Sequence, residues 1–125
     1  MLYEPAVVRL TVVLVASSRS APRLEEALRS LMIPTMLKEG CLDCSAWVDP
    51  DWTVHYQEDW ATDAHMRDRV QSDQFTRLLA VIEASERQPR VQFDFVTMRR
   101  GLDYVEEVRQ GSASPNRPAN FRGEY

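Results

Sequence analysis

The sequence predicts an α+β fold, a ferredoxin-like split βαβ sandwich in which two helices cover one face of a four-stranded antiparallel sheet. The main observation is that two copies of a strand–helix–strand pattern fill residues 7–98. β-branched runs bounded by turn residues mark the strands, and apolar residues at helical spacing mark the helices. The predicted elements are Val7–Ala16, Pro22–Lys38 and Cys41–Val48 in the first copy, and Thr53–Trp60, Asp63–Ala84 and Val91–Met98 in the second.

The length and charge of the chain limit its organisation and its partners. A chain of 125 residues forms one domain with a modest core, which we assign to residues 1–109. Residues 110–125 are rich in Ser, Pro, Asn and Gly and are expected to be a flexible tail or an arm that contacts a partner. The net charge of −4 argues against nucleic acid, because phosphate binding needs a basic surface. Without a membrane-spanning run or a signal peptide pattern, we expect no membrane partner and a cytoplasmic location.

The first predicted strand is apolar on both faces, which is unusual for a sheet that helices cover on one side only. A second subunit is the simplest cover for the other face. One face carries Val8, Leu10, Val12, Leu14 and Ala16, and the other carries Val7, Arg9, Thr11, Val13 and Val15.

The first helix is expected to begin after an N-cap in the loop Ser17–Ser20, with Pro22 in its first turn. Pro34 predicts a kink or a break followed by a fresh turn over residues 35–38, because proline lacks the N–H that an inner helical turn requires. Gly40 is expected to end the helix.

The second strand should pair with the third as a hairpin across the turn at residues 49–51. On the third strand Tyr56, Glu58 and Trp60 share one face, and His55 lies on the other. Thr62 caps the next helix, and Ser72 predicts that this helix bends or splits near residue 71. A short helix is predicted over Leu102–Arg109 with Leu102, Val105 and Val108 facing inward.

Cys41 and Cys44 form a C-x-x-C pattern, but they open a strand rather than a helix. Residues three apart on a regular strand point to opposite faces, which makes a disulfide or a shared metal difficult. We therefore expect buried structural thiols and no metal site.

Residues 33–42 contain Pro34-Thr35 followed by Glu39-Gly40-Cys41, and residues 58–64 with 72–75 contain Glu58, Trp60 and Thr62 followed by Ser72 and Phe75. In order and spacing these two segments resemble the antibiotic biosynthesis monooxygenase (ABM) family of dimeric α+β barrels, the first at the end of its first helix and the second where its third strand runs into its second helix. The resemblance covers about residues 7–100. It implies a homodimer with two sheets packed face to face. In some members it implies oxidation of quinols or polycyclic anthrones by O₂ with no flavin, haem or metal, so no cofactor is expected.

The chain departs from the family pattern at several positions. Arg69 and Gln74 stand where the family often has histidines, and Tyr56 stands where some anthrone oxygenases have asparagine. The heme-degrading branch uses an asparagine on the first strand and a histidine on the second helix. Here the first strand has no asparagine and His65 lies near the start of the helix, so heme degradation ranks low.

These comparisons give a set of candidate site residues with an alternative for each. His55 or His65 could act as general base, and Tyr56 or Arg69 could donate hydrogen bonds to an oxygen anion. The candidate substrate-binding residues, which would contact a small aromatic ligand, are Trp60, Phe75 and Glu58.

Each candidate also has an ordinary structural role open to it. Trp60 could anchor the core, either histidine could be solvated or lie at an interface, and Glu58 could pair with Arg9 or with an arginine of a second subunit.

Two functions are therefore the main hypotheses, a cofactor-independent monooxygenase and a non-catalytic small-molecule-binding or stress-related dimer. An isomerase or lyase on the same fold is a third, because a fold does not determine a function. An enclosed apolar cavity touching His55 or His65 would favour the enzyme.

Overall fold

The computed structural model describes residues 7–111, so nearly all of the predicted tail lies outside the described residues. Four strands and four helices follow one another along the chain. They are β1 (Val7–Val15), α1 (Ala21–Met36), β2 (Cys41–Val48), β3 (Thr53–Trp60), α2 (Asp63–Gln71), α3 (Asp73–Glu83), β4 (Arg90–Val96) and α4 (Leu102–Arg109).

The predicted fold class is confirmed. The strands form one antiparallel sheet in the order β2-β3-β1-β4. Strand β3 of the second half lies between β1 and β2 of the first half, and β1 lies between β3 and β4. This interleaving is what the split βαβ arrangement requires. No helix in residues 7–111 is long and apolar enough to cross a membrane.

The core lies between the helices and one face of the sheet. Residues that pair across β1 and β3 point to the same side of the sheet. Six of them have no exposed surface, namely Val8, Leu10 and Val12 on β1 and their partners Trp60, Glu58 and Tyr56 on β3. Buried side chains of the helices complete this layer, namely Leu24, Leu28, Met66, Phe75, Leu78 and Ile82.

Helix α1 runs without a break through Pro34, so the predicted break is wrong, although a separate turn does follow at residues 35–38 as predicted. Pro34 lacks the N–H that would donate to Ser30 O, but Ser30 is exposed, so water can hydrogen-bond this carbonyl. Gly40 does not end the helix either, because it follows a separate turn in which Lys38 N–H donates to Thr35 O. Ser20 is the N-cap residue, but its side chain bonds Ser17 rather than a helical N–H.

The predicted split of the second helix is confirmed. Thr62 Oγ1 accepts a hydrogen bond from the backbone N–H of His65 at 3.1 Å and caps α2. Ser72 has extended backbone angles, which stop α2 and allow α3 to start in a new direction. Ser72 Oγ also donates to Arg69 O at 2.7 Å, which satisfies one of the last carbonyls of α2.

Two other expectations from the sequence are wrong. Helix α4 has the predicted bounds, but none of its residues is buried among residues 7–111, so Leu102, Val105 and Val108 do not face the core of the described part of the chain. A register shift in β2 places Cys41 opposite Trp60 and Cys44 opposite Glu58, with two residues between the cysteines. This bulge turns both cysteines to the helix-covered face. Both thiols are free; Cys44 is buried and Cys41 is half-buried.

Candidate functional site

A buried carboxylate organises the interior beneath the helices. Glu58 has no exposed surface, and four donor atoms surround its two oxygens. Tyr56 Oη donates to Oε2 at 2.5 Å, and Trp60 Nε1 donates to Oε1 at 2.8 Å. Arg69 donates Nε to Oε1 at 3.1 Å and Nη2 to Oε2 at 2.8 Å. Every lone pair that the carboxylate directs into the core thus has a donor, as a buried charge requires.

The local sequence explains why these groups meet. Tyr56, Glu58 and Trp60 alternate along β3, so all three point to the helix-covered face. Arg69 lies in the last turn of α2 and reaches down to this face, and its guanidinium carbon lies 5.2 Å from the centre of the Phe75 ring. Five of the seven candidate residues therefore lie in one cluster, which we call the Glu58 cluster.

Burial controls protonation in the Glu58 cluster. Desolvation and the adjacent Glu58 carboxylate raise the pKa of Tyr56, so the phenol keeps its proton. Desolvation raises the pKa of Cys44 to about 12, and its thiol lies 3.3 Å from Tyr56 Oη. Burial works against the charge of Arg69, but its hydrogen bonds to Glu58 and the Glu58 charge outweigh this effect and raise its pKa. Tyr56 therefore keeps its proton and Arg69 its charge near neutral pH, so neither is suited to act as an acid or base.

The guanidinium of Arg69 has one nitrogen to spare. Nη1 is buried without a protein hydrogen-bond partner. A narrow gap between α1 and the α2–α3 corner borders Arg69, and its other lining residues are Leu31, Pro34, Thr35 and Gln74. The gap has room for about one water molecule, so it admits no aromatic ring in this conformation.

A larger open depression lies where β3 meets α2. It has a volume of about 300 Å³, and its rim carries Lys38, Glu39, His65 and Asp68 above the buried Trp60. The ring of His65 is held by a 2.8 Å hydrogen bond between Nδ1 and Thr62 Oγ1. His65 and Trp60 were both candidates from the sequence, and this depression is where they come together. It is open and polar at the rim, unlike the enclosed apolar cavity that would favour an enzyme.

Gly40 supports this depression in a way that the sequence did not indicate. Its φ of +88° lies in the left-handed region, and a Cβ atom at this position would lie 2.2 Å from His65 Cγ. Gly40 O also accepts a hydrogen bond from Ala61 N at 2.8 Å, which joins the start of β2 to the end of β3. The imidazole of His65 therefore packs directly on a backbone that only glycine allows.

His55 is separated from the other candidates by the sheet. It lies on the face away from the helices, where its ring stacks on Trp47 with centroids 4.9 Å apart, and Nε2 lies 2.6 Å from Asp49 Oδ2. Arg9 is on the same face and pairs with Asp59 at 2.8 Å. Arg9 is therefore not the partner of Glu58; the partner is Arg69 of the same chain.

Residues 7–111 contain no group of three or more His, Cys, Asp or Glu side chains that could hold a metal ion. What the site offers is one histidine at the rim of a depression and a charged cluster beneath it. Phe75 belongs to the buried core and does not border the depression.

The comparison of the sequence with protein-family models gives no match, and no curated protein matches either.

Solved structures give clear matches. A "putative antibiotic biosynthesis monooxygenase" from Deinococcus radiodurans has a TM-score of 0.66 and 16% identity, covering 75% of this chain and 96% of that one. A protein of the same description from Caulobacter crescentus CB15 has a TM-score of 0.64 and 14% identity, covering 77% and 94%. A Bacteroides thetaiotaomicron protein described as "Possible Oxidoreductase" has a TM-score of 0.61 and 14% identity, covering 72% and 95%. The chain thus has the ABM-like fold over most of its length.

Proposed function

We propose that this protein binds a small hydroxylated aromatic, such as a quinol or an anthrone, in the depression beside His65 and oxidises it with O₂ without a cofactor. The observation that carries the proposal is that His65 and Trp60 border the same open volume of about 300 Å³. This volume is at the lower end of the range for small-molecule sites. The ABM-like fold of the chain supports the same class of reaction.

In this proposal His65 is the general base. When Nδ1–H donates to Thr62 Oγ1, the lone pair of Nε2 is free to take the acidic proton of the substrate. The resulting carbanion-like or phenolate anion gives electrons to O₂. For an anthrone, one oxygen atom replaces the two hydrogens of the reacting CH₂ as a carbonyl, and the other leaves as water. Lys38 at the rim would stabilise the anion by its charge.

A second candidate, a non-catalytic binding protein, is favoured by the state of Tyr56 and Arg69. Both side chains donate to Glu58 and are buried, so neither is offered to a ligand in the depression. A protein of this kind would hold the same ligand without removing its proton. In both cases we propose a homodimer whose sheets pack by the faces that carry His55 and Arg9, and the cytoplasmic location stays a prediction.

The test is O₂ consumption by metal-free protein with reduced quinols and an anthrone, comparing His65→Gln with His55→Gln. His55 is a matched control because it lies on the other face of the sheet. Uptake that falls only in His65→Gln supports the oxygenase. Uptake that falls only in His55→Gln contradicts the placement of the site.

A third result separates the two candidates. If no uptake exceeds the autoxidation blank, but the quinol analogue raises the melting temperature of the wild type and not of His65→Gln, the binding protein is supported. If neither uptake nor a thermal shift occurs with any ligand of the panel, both candidates are contradicted.

A further inference from the structure

Strand β4 presents an uncovered apolar stripe on the side of the sheet that faces the helices. Its members are Val91, Phe93 and Phe95, called here the β4 stripe, and they are 45%, 39% and 53% exposed. Their register partners on β1 are Val12, Leu10 and Val8, which expose no surface at all. Since opposite residues of a pair point to the same face, the helix layer covers β1 and stops short of β4.

Helix α4 has an apolar side that packs on no other element within residues 7–111. Leu102, Val105 and Val108 recur at a spacing of three along the helix and are 72%, 47% and 43% exposed. An isolated helix of eight residues is not stable in water, so burial of an apolar face is what normally maintains such a helix.

The polar contacts of α4 do not replace this burial. Arg100 Nη2 lies 2.9 Å from Asp103 Oδ2 and 3.1 Å from Glu107 Oε1, and its guanidinium lies over the ring of Tyr104. These groups are exposed, and exposed ion pairs contribute little to the stability of a helix. All of these contacts lie within residues 100–107, so they leave the apolar side of the helix open.

We propose that α4 of one copy packs on the β4 stripe of a second copy of this chain. Each copy lacks a cover for one stripe and a surface for one helix, so a two-fold arrangement supplies both at once. The charges agree with this pairing. The acidic side chains of α4 include the exposed Glu106, and the exposed Arg99 follows the end of the β4 stripe, whereas Arg90 points to the opposite face of the sheet.

This contact is distinct from the sheet-to-sheet packing proposed above, which uses the opposite face of the sheet. It therefore stands whether or not the oxygenase proposal is correct, and it assigns a role to the short C-terminal helix that the core leaves unused.

Photo-crosslinking tests the contact directly. Benzoylphenylalanine is incorporated in place of Val105 in the full chain. This chain is mixed with ¹⁵N-labelled wild-type chain, and the two are refolded together and irradiated. Trypsin releases the β4 stripe as the single peptide 91–99, because arginines precede and end it. The expected product is a covalent dimer in which the α4 peptide is joined to the ¹⁵N form of peptide 91–99. The same probe at the exposed Ile33 of α1 is the matched control and should give no such product.

A second variant keeps the result independent of folding defects. Phe93→Ser with Phe95→Ser in the labelled chain should abolish the crosslink while its circular dichroism spectrum stays that of the wild type, because both side chains are largely exposed. Links to peptide 91–99 only within one chain would show that α4 folds back on its own strand and would overturn the proposal. Links to another surface, or none above the Ile33 control, would overturn it as well.

Discussion

Arg69 on α2 holds both carboxylate oxygens of Glu58 on β3, at 3.1 and 2.8 Å, and both side chains are almost completely buried. The pair joins a helix that is otherwise polar to the centre of the sheet. It fixes the position of α2 through charge and hydrogen bonds, where the apolar contacts of this helix are few. The buried Trp60, which lies beneath the depression at His65, is held by the same carboxylate, because its Nε1–H donates to Glu58.

Replacing one partner of this pair should destabilise the protein strongly. Arg69→Met leaves a buried carboxylate without its cation, and we expect a loss of about 3–5 kcal/mol in the free energy of unfolding. Glu58→Leu should cost more than Arg69→Met, because it leaves the Tyr56 hydroxyl and the Trp60 N–H without an acceptor as well. Urea denaturation of each variant measures both effects.

The exposed pair Arg67–Asp63 on the same helix provides the control. Arg67→Met removes an equivalent side chain in water and should change the free energy of unfolding far less than Arg69→Met. Equal losses for Arg67→Met and Arg69→Met would show that the buried pair does not hold α2 in place.

Gly40→Ala should disturb His65 beyond the usual cost of a left-handed alanine. Gly40 and Gly111 both have positive φ, but an added Cβ would meet His65 at 2.2 Å in the first case and nothing within 4 Å in the second. Gly111→Ala therefore reports a left-handed alanine without a steric conflict, and should cost at most about 1–2 kcal/mol because the exposed end of α4 can fray. Gly40→Ala should lose more and shift the imidazole resonances of His65 in NMR spectra.

A double variant separates steric conflict from strain. Adding His65→Ala to the Gly40→Ala variant should restore stability until only the loss seen for Gly111→Ala remains, because the atoms that collide are gone. If the double variant is less stable than Gly40→Ala alone, the close packing of His65 on Gly40 is not the cause of the loss.

The sequence predicted much of this architecture because its local signals agree with the final fold. The bounds of β2 and β3 match the prediction because β-branched and aromatic residues end abruptly at the turn Asp49–Asp51. The cap at Thr62 and the extended residue Ser72 likewise act within a few residues of their own position. Pro34 did not break the helix, because the carbonyl that loses its donor belongs to the exposed Ser30, and the exposure of a residue four positions earlier cannot be seen from the proline itself.

The candidate site was less predictable because its contacts are long-range. Arg69 lies between the exposed side chains of Asp68 and Val70, and no periodicity distinguishes it from a surface arginine. Only the packing of α2 on β3 brings it to Glu58. The bulge in β2 could not be predicted from the sequence either, since one extra residue leaves the composition of a strand unchanged. That residue nevertheless turns Cys41 to the other face of the sheet.

The two thiols should react at very different rates. Cys44 is buried, and desolvation raises its pKa to about 12, so almost no thiolate forms near neutral pH. Cys41 is half-buried, and its pKa is raised mainly by desolvation to a smaller extent. Titration of the native protein with a disulfide reagent at pH 8 should modify one thiol slowly, and both after denaturation. The slow reaction should disappear in Cys41→Ser; its persistence would place the reactive thiol at Cys44.

Stability should fall at alkaline pH, with Cys44 as one cause. The thiol titrates near pH 9.0 when the chain is unfolded and at about 12 in the fold. Below pH 9 both states keep the proton, and the contribution of Cys44 is complete. Between pH 9 and 12 only the unfolded state releases it, so the free energy of unfolding declines by up to about 1.4 kcal/mol per pH unit from this group. Tyr56, whose pKa is also raised by burial, adds to the decline above pH 10.

Urea denaturation at a series of pH values from 8 to 10.5 tests this dependence. Cys44→Ala should flatten the decline above pH 9, even though the loss of packing lowers the whole curve. Tyr56→Phe should leave the slope of the free energy of unfolding against pH unchanged near pH 9, and should reduce this slope above pH 10. The slope is the informative quantity, because a packing defect shifts stability equally at every pH, whereas a buried thiol changes only the number of protons released on unfolding. Parallel curves for the wild type and Cys44→Ala would show that the thiol is not held protonated by its surroundings.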